Sequence, residues 1–190
     1  MAGAALAVLS PLLLLIAALV RLTSPGPAIF QQSRVGRHGR SFTLFKFRTM
    51  RMEADAEDGR FDPGSRGRVT PLGQILRRTK MDELPQFWNV LKGDMAVVGP
   101  RPEVRRWTAV HPERWHVVHR VRPGMTDPAS ILFRNEEEIL AAAADPERTY
   151  LLEILPRKLA LSEEYVYNRS FMGDLKIILR TAAAVLRGRR

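Results

Sequence analysis

Residues 1–27 read MAGAALAVLSPLLLLIAALVRLTSPGP. From Met1 to Val20 no residue is charged, and none is strongly polar apart from Ser10. Twenty residues at a rise of about 1.5 Å each make a helix of roughly 30 Å, the thickness of a bilayer's hydrocarbon core. No basic residue precedes the run and no small-x-small pattern follows it, which argues against a cleaved secretory signal. Arg21 and the cations behind it put the following chain on the cytoplasmic side by the positive-inside rule. At the midpoint stands Ser10-Pro11. Proline removes one helical hydrogen bond, and a neighbouring hydroxyl can satisfy a carbonyl left free by it. The residues alone admit two anchors: a kinked spanning helix, or a re-entrant hairpin that enters and leaves on one face.

The charge of the whole chain follows the same division. Its 190 residues hold 30 Lys plus Arg against 20 Asp plus Glu, a net +10. The seven charges before Glu53 are all positive: Arg21, Arg34, Arg37, Arg40, Lys46, Arg48 and Arg51. A cationic stretch directly behind an apolar one points to a membrane surface more than to nucleic acid. With 45% apolar residues the chain can build a core, and with no cysteine it has neither disulfides nor thiolate metal sites. Aromatic residues make up only 7% and do not alternate with the cations, so single-strand nucleic-acid binding is not indicated.

Outward from the anchor, Thr23-Ser24-Pro25-Gly26-Pro27 ends the helix. Residues 28–37 and 41–48 predict a β-hairpin around Arg37-His38-Gly39-Arg40, although Phe45-Lys46-Phe47-Arg48 shifts the alternation. Residues 53–71, acidic and Gly-containing, predict a long surface loop. Leu72–Arg78 and Leu84–Leu91 predict short helices, Gly99-Pro100-Arg101-Pro102 and Arg122-Pro123-Gly124-Met125 rigid turns, and Ile139–Leu155 and Leu159–Leu186 helices with a break at Pro156. The end, from Asp174 on, sets apolar residues among Lys176, Arg180, Arg187, Arg189 and Arg190, as either an interfacial helix or a packing helix with a basic tail would. The fold class is α+β, mainly helical. It comprises an anchor over residues 1–22 and a catalytic or binding body over residues 23–190.

The chemistry concentrates in Arg77-Arg78-Thr79-Lys80-Met81-Asp82-Glu83-Leu84-Pro85-Gln86, where paired carboxylates follow three cations at the start of a helix. With Asp82 as N-cap, Pro85 falls at the third helical position. The helix end and the neighbouring cations then favour an ionised Asp82 that can bind a divalent metal or attack phosphorus. An isolated Asp-Glu pair is more often a plain cap with solvated neighbours. What raises it is the company of Lys46 and Arg48, Arg101 and Arg122, each a cation in a stiff setting suited to a diphosphate. His111, His116 and His119 have imperfect spacing for a metal and read as surface or interfacial residues.

Three segments carry a resemblance: LSPLLLLIAALVRLTSPGPAIFQQSRVGRHGRSFTLFKFRTM from Leu9, TPLGQILRRTKMDELPQFWNVLKGDMAVVGPRPE from Thr70, and VRPGMTDPAS from Val121. Together they resemble the bacterial sugar transferases, small monotopic phosphoglycosyl transferases that initiate glycan assembly on polyprenol phosphate. The resemblance implies a re-entrant membrane helix broken at Ser10 and Pro11, with amphipathic helices in the cytoplasmic interface of the bacterial inner membrane. It also implies an Asp82–Glu83 catalytic dyad and Mg²⁺, with Asp82 the metal contact. The implied reaction is two-step: Asp82 attacks the β-phosphorus of a UDP-sugar and expels UMP, and undecaprenyl phosphate then takes the phosphosugar. Glu83 would assist Asp82 or the acceptor's proton transfer. Lys46, Arg77 and Arg101 become phosphate-contact candidates, with Arg48, Arg122 and Arg134 as further substrate-binding candidates. The pattern departs after Thr126, where Asp127-Pro128-Ala129-Ser130-Ile131-Leu132-Phe133-Arg134-Asn135 replaces a Gly-Trp-Ala-Gln-Val-Asn-Gly-Arg-like run, and Arg134 aligns with its arginine. The expected partners are UDP-sugar, undecaprenyl phosphate and membrane lipids, without nucleic acid, and a homodimer is an open expectation. The competing reading from another class is a non-catalytic, membrane-tethered basic protein that holds anionic lipid or nucleic acid.

Overall fold

The apolar segment folds as one continuous helix, α1 (Ala2–Thr23), with Pro11 inside it, and not as two half-helices. Ser10 Oγ donates to the Ala7 carbonyl at 2.8 Å. That carbonyl, four residues before Pro11, is the one left without its usual donor, so the hydroxyl offsets the lost bond and the helix continues. One face of α1 packs on the protein through Leu12, Leu13, Ile16, Ala17 and Val20. The opposite face exposes Val8, Leu14, Leu15, Leu19 and Leu22. The computed structural model describes residues 2–52 and 67–187. Most of the loop expected over residues 53–71, and the terminal Arg189 and Arg190, lie outside the described residues.

The hairpin forms nearly as the alternation requires. β1 (Ile29–Val35) and β2 (Ser41–Phe47) pair antiparallel, with Ile29 opposite Phe47 and Val35 opposite Ser41. Their turn is a 3-10 turn over Arg37–Gly39 with His38 in the left-handed region. The end of the expected loop is ordered: Val69 bridges Met50, and Thr70 caps α2 (Pro71–Thr79) by accepting from Gly73 N. Gly73 permits this packing, since a Cβ there would lie 2.1 Å from the Thr49 carbonyl oxygen. A left-handed Lys80 (φ 58°) ends α2 and opens a 3-10 turn over Met81–Glu83, after which α3 (Gln86–Lys92) begins. Asn89, fully buried, pins α3 to β2: its Nδ2 donates to Thr43 O at 2.7 Å and its Oδ1 accepts from Phe45 N at 3.2 Å. Phe47 and Leu76 join Ile16 and Val20 in one apolar cluster, so α1, β2 and α2 share a core.

A second body completes the chain. β3 (Ala96–Val98) leads into Gly99–Pro102, followed by α4 (Arg105–Thr108) and α5 (Pro112–Val118). β4 (Gly124–Thr126) pairs parallel to β3, so the two proline turns of the sequence lie side by side. Gly99 and Gly124 are required there, because a Cβ on Gly124 would meet Gly99 N at 2.1 Å. Next come α6 (Pro128–Leu132), α7 (Glu136–Ala142), α8 (Pro146–Thr149), a π-turn over Tyr150–Ile154 and α9 (Leu155–Asn168). Pro156 does not break this stretch as expected: helical backbone runs from the π-turn through Leu155 into α9, with the proline directly after the widened turn. The break falls at Ser170, whose hydroxyl caps α10 (Phe171–Leu186). Trp107, Trp115, Val118, Leu140, Tyr150, Ile154, Leu155 and Leu159 form the core of this body.

Candidate active site

The carboxylate pair lies on the 3-10 turn between α2 and α3, and both side chains are buried. Asp82 is therefore not the cap of α3. That position belongs to Pro85, which caps nothing with its side chain. At three residues per turn, adjacent side chains diverge by about 120°, so one set of cations can grip only one of the two carboxylates. They grip Glu83. Arg101 Nη2 donates to Glu83 Oε1 at 2.6 Å and its Nη1 to Oε2 at 3.3 Å, while Lys46 Nζ donates to Oε1 at 3.2 Å.

The electrostatics split accordingly. Burial alone would raise the Glu83 carboxyl, but Arg101, then Lys46 and Lys80, hold it well below the usual range. Burial pushes Asp82 up against the opposing pull of Lys46, and the negative charge of Glu83 adds to the rise. Lys46, Lys80 and Arg101 do favour an ionised Asp82, as expected, but burial and the charge of Glu83 outweigh them, and Glu83 takes the hydrogen bonds of Lys46 and Arg101. Burial also lowers the Lys46 ammonium, which the attraction of Glu83 only partly restores. Asp82 Oδ1 is buried and accepts no hydrogen bond among the described residues.

That unpartnered oxygen bears on the metal question. Mg²⁺ takes oxygen ligands, typically one or two carboxylates completed by substrate phosphates and waters. Asp82 Oδ1 suits one such ligand, whereas both oxygens of Glu83 are engaged. No group of three or more metal-ligating side chains occurs among the described residues, so any cation here would depend on oxygens from a bound phosphate.

Of the other residues predicted for the site, Lys46 and Arg101 reach the pair, as described. Arg77 turns elsewhere: its Nε donates to Thr49 Oγ1 at 2.9 Å and its Nη1 to Glu137 Oε1 at 2.6 Å. Arg48 is buried at the end of α1, where Nη2 donates to Ser24 O at 2.7 Å and Ser24 Oγ at 2.9 Å, so it serves the anchor and not the dyad. Arg122 is exposed, with its guanidinium over Gly93, although its turn adjoins that of Arg101. Arg134 is half-buried just before α7. His119 stacks on Trp115, and burial lowers it to about 4, in keeping with packing more than with metal binding.

Sequence reading missed three contributors. Asp127, 1% exposed, caps α6 through Ser130 N and also accepts from Arg101 N at 3.4 Å, which ties the Arg101 turn to β4. Thr49 orients Arg77. Glu103 is held by Arg34 at 2.9 Å and by the Tyr150 hydroxyl at 2.8 Å, which fixes the far end of the Gly99–Pro102 turn. The position of Glu103 directly after Pro-Arg-Pro was the available signal.

A cation-clamped carboxylate beside a free one, at the foot of an exposed apolar helix, defines a protein with a charged site next to an apolar boundary. The sequence pattern of the bacterial sugar transferases matches residues 1–188, and the chain belongs to that family. It is 36% identical over 187 residues to a UDP-N-acetylgalactosamine-undecaprenyl-phosphate N-acetylgalactosaminephosphotransferase of Aeromonas hydrophila, covering 97% of this chain and 41% of that protein. It is 38% identical over 185 residues to a UDP-glucose:undecaprenyl-phosphate glucose-1-phosphate transferase of Caulobacter vibrioides, covering 95% of this chain and 64% of the relative. An exopolysaccharide production protein of Rhizobium leguminosarum is 37% identical over 194 residues, with 96% of this chain and 89% of the relative covered. The chain thus spans less than two thirds of the length of the first two relatives.

Proposed function

We propose that this chain transfers a phosphosugar from a UDP-sugar to undecaprenyl phosphate, releasing UMP, as the first membrane step of exopolysaccharide assembly. The observation that carries the reading is the unpartnered, buried Asp82 Oδ1 beside the clamped Glu83, in a chain whose relatives are named for this reaction. One oxygen of the Asp82 carboxylate forms a bond to the sugar-bearing phosphorus, leaving the other for a metal, and the bridging P–O bond breaks, its electron pair leaving with UMP. An oxygen of undecaprenyl phosphate then attacks the same phosphorus and the Asp82 carboxylate departs. Lys46 and Arg101 keep Glu83 ionised and contribute positive charge where phosphate oxygens crowd. Mg²⁺, held by Asp82 and the donor's phosphates, would neutralise charge on the diphosphate. Glu83 orders Lys46 and Arg101 around its neighbour.

The anchor is read as re-entrant, with the body on the cytoplasmic face. Support comes from both ends of α1. Ile16 shares a cluster with Leu84, while a Cβ built on Gly3 would lie 3.7 Å from Leu91 Cδ1. The start and the inner part of α1 thus both lie near the one segment of residues 84–91. Further apolar side chains are exposed on Ile75, Trp88, Leu91 and along α10 at Phe171, Met172, Leu175, Leu179 and Leu186. Each gains about 2 kcal/mol on leaving water, which favours interfacial helices.

The test is UMP release from a panel of UDP-sugars with detergent-solubilised protein, Mg²⁺ and undecaprenyl phosphate. Release that requires Mg²⁺ and vanishes in Asp82→Asn supports the reading, and a phosphosugar adduct on Asp82 establishes the covalent step. Normal turnover by Asp82→Asn overturns the nucleophile.

A further inference from the structure

Directly after the segment in which this chain departs from the family's run, Asp127–Asn135, come Glu136-Glu137-Glu138, the first turn of α7. Two of these acids face Arg101, which clamps Glu83, and Arg77, in the last turn of the helix that leads into the dyad's turn. Glu136 lies close enough to Arg101 to raise its pKa, although Lys158 is its direct partner at 3.0 Å. Glu137 Oε1 accepts from Arg77 Nη1 at 2.6 Å. Arg77 is already oriented through Nε by Thr49, so its outer nitrogen presents a fixed donor and Glu137 supplies the anion. The two side chains are 24% and 39% exposed, and an ion pair this open to water is weak and exchangeable.

We infer that Glu137 is a displaceable occupant of Arg77: it holds the place of a donor phosphate in the free protein and is expelled when a diphosphate enters. α7 thereby sets donor affinity by competition without touching the sugar. The inference rests on the proposed donor class, but its physical core, carboxylate against diphosphate on one guanidinium, is separable from it. Competition predicts that removing the carboxylate tightens binding, whereas a carboxylate that merely positions Arg77 predicts that removal weakens it.

The experiment is calorimetric titration of the full chain in detergent with UDP and with inorganic pyrophosphate, in the presence of Mg²⁺. Glu137→Gln is expected to bind both about three- to fivefold more tightly, the reach of one exposed ion pair. Glu153→Gln, which removes the same charge from an exposed position elsewhere, should leave affinity unchanged, and Arg77→Met should cancel the gain when combined with Glu137→Gln. Unchanged or weaker binding by Glu137→Gln overturns the inference, as does an equal gain in Glu153→Gln. Tighter pyrophosphate binding by Glu137→Gln, with no UMP released from any UDP-sugar by the wild type, would uphold the competition and remove the proposed reaction.

Discussion

Arg101 closes a two-pronged grip on Glu83, at 2.6 Å and 3.3 Å, while the adjacent Asp82 accepts no hydrogen bond at Oδ1 among the described residues. Glu83 is buried, while Arg101 and Lys46 keep 30% and 22% of their side chains in solvent, so removing the carboxylate costs about 1–3 kcal/mol. Glu83→Gln is therefore expected to lower the thermal midpoint by about 5 °C, at about 2–4 °C per kcal/mol for a chain of this size. Arg101→Lys keeps the charge but loses the fork, and should fall between the two. A midpoint unmoved by Glu83→Gln in a scanning-calorimetry trace would refute the assigned grip.

Asp82 behaves in the opposite sense. Its carboxyl is raised above 3.8 in the fold, so it stabilises only while protonated, and that contribution is lost as pH rises through the folded-state value. At neutral pH the ionised group is a net cost. Asp82→Asn should accordingly raise the midpoint by a few degrees while abolishing UMP release. A variant both inactive and less stable at pH 7 would contradict the burial argument. For Glu83 the sign reverses: its stabilising contribution is present above 4.5 and is lost as pH falls through its lowered value.

The same shifts shape the rate. The proposed reaction requires an ionised Asp82 and a protonated Lys46, with Asp82 raised from 3.8 and Lys46 lowered from 10.5. The profile of kcat/KM against pH should be a bell narrowed on both sides relative to those two values. Lys46→Arg should move the alkaline limb upward and leave the acid limb in place. An alkaline limb that ignores this substitution would assign it to another group.

Arg48 serves the anchor through the carbonyls at its end. With Arg48→Met, Ser24 O loses its guanidinium donor, and amide exchange over residues 20–26 should accelerate about tenfold, the worth of one hydrogen bond. Exchange on β2 should change little. Uniform acceleration across the chain would mean that Arg48 supports the whole fold and not the helix end.

The proposed re-entrant course of α1 can be tested in a chain without native cysteine. Gly3→Cys with Leu91→Cys should cross-link with a short thiol reagent, whereas Val8→Cys, which faces outward, should not pair with the same partner. Both Gly3→Cys and a cysteine at Arg21 should label from the cytoplasmic side. Labelling of Gly3→Cys from the periplasm alone would establish a spanning helix.

The hairpin and the short helices were legible in the sequence because their signals are local: alternation over residues 28–47, and a proline-led apolar repeat from Pro71. The β3–β4 pair was not, since three residues carry no period and their partners lie 28 positions apart. The stretch from Lys80 to Glu83 was recognised as chemical, yet the division of labour within it was not. Which carboxylate the cations would choose depends on the 3-10 geometry set by a left-handed Lys80, and no residue type announces a positive φ at lysine. The partners that Arg48 and Arg77 hold in the fold were not legible either, because the destination of a long side chain is decided by acceptors distant in sequence, here Ser24 and Glu137.

Lys46, Phe47 and Arg48 are consecutive, and each answers to a different neighbour: the Glu83 carboxylate, the apolar cluster against α1, and the Ser24 carbonyl. A single substitution in such a triplet loses one contact, whereas a change of spacing loses all three. Insertion of a single residue between Leu44 and Lys46 would rotate the three assignments together, sending an ammonium into the apolar cluster and a phenyl ring toward the carboxylate. At this strand, reading frame along the chain matters more than chemical identity, so a library of length variants would lose function here sooner than a library of substitutions.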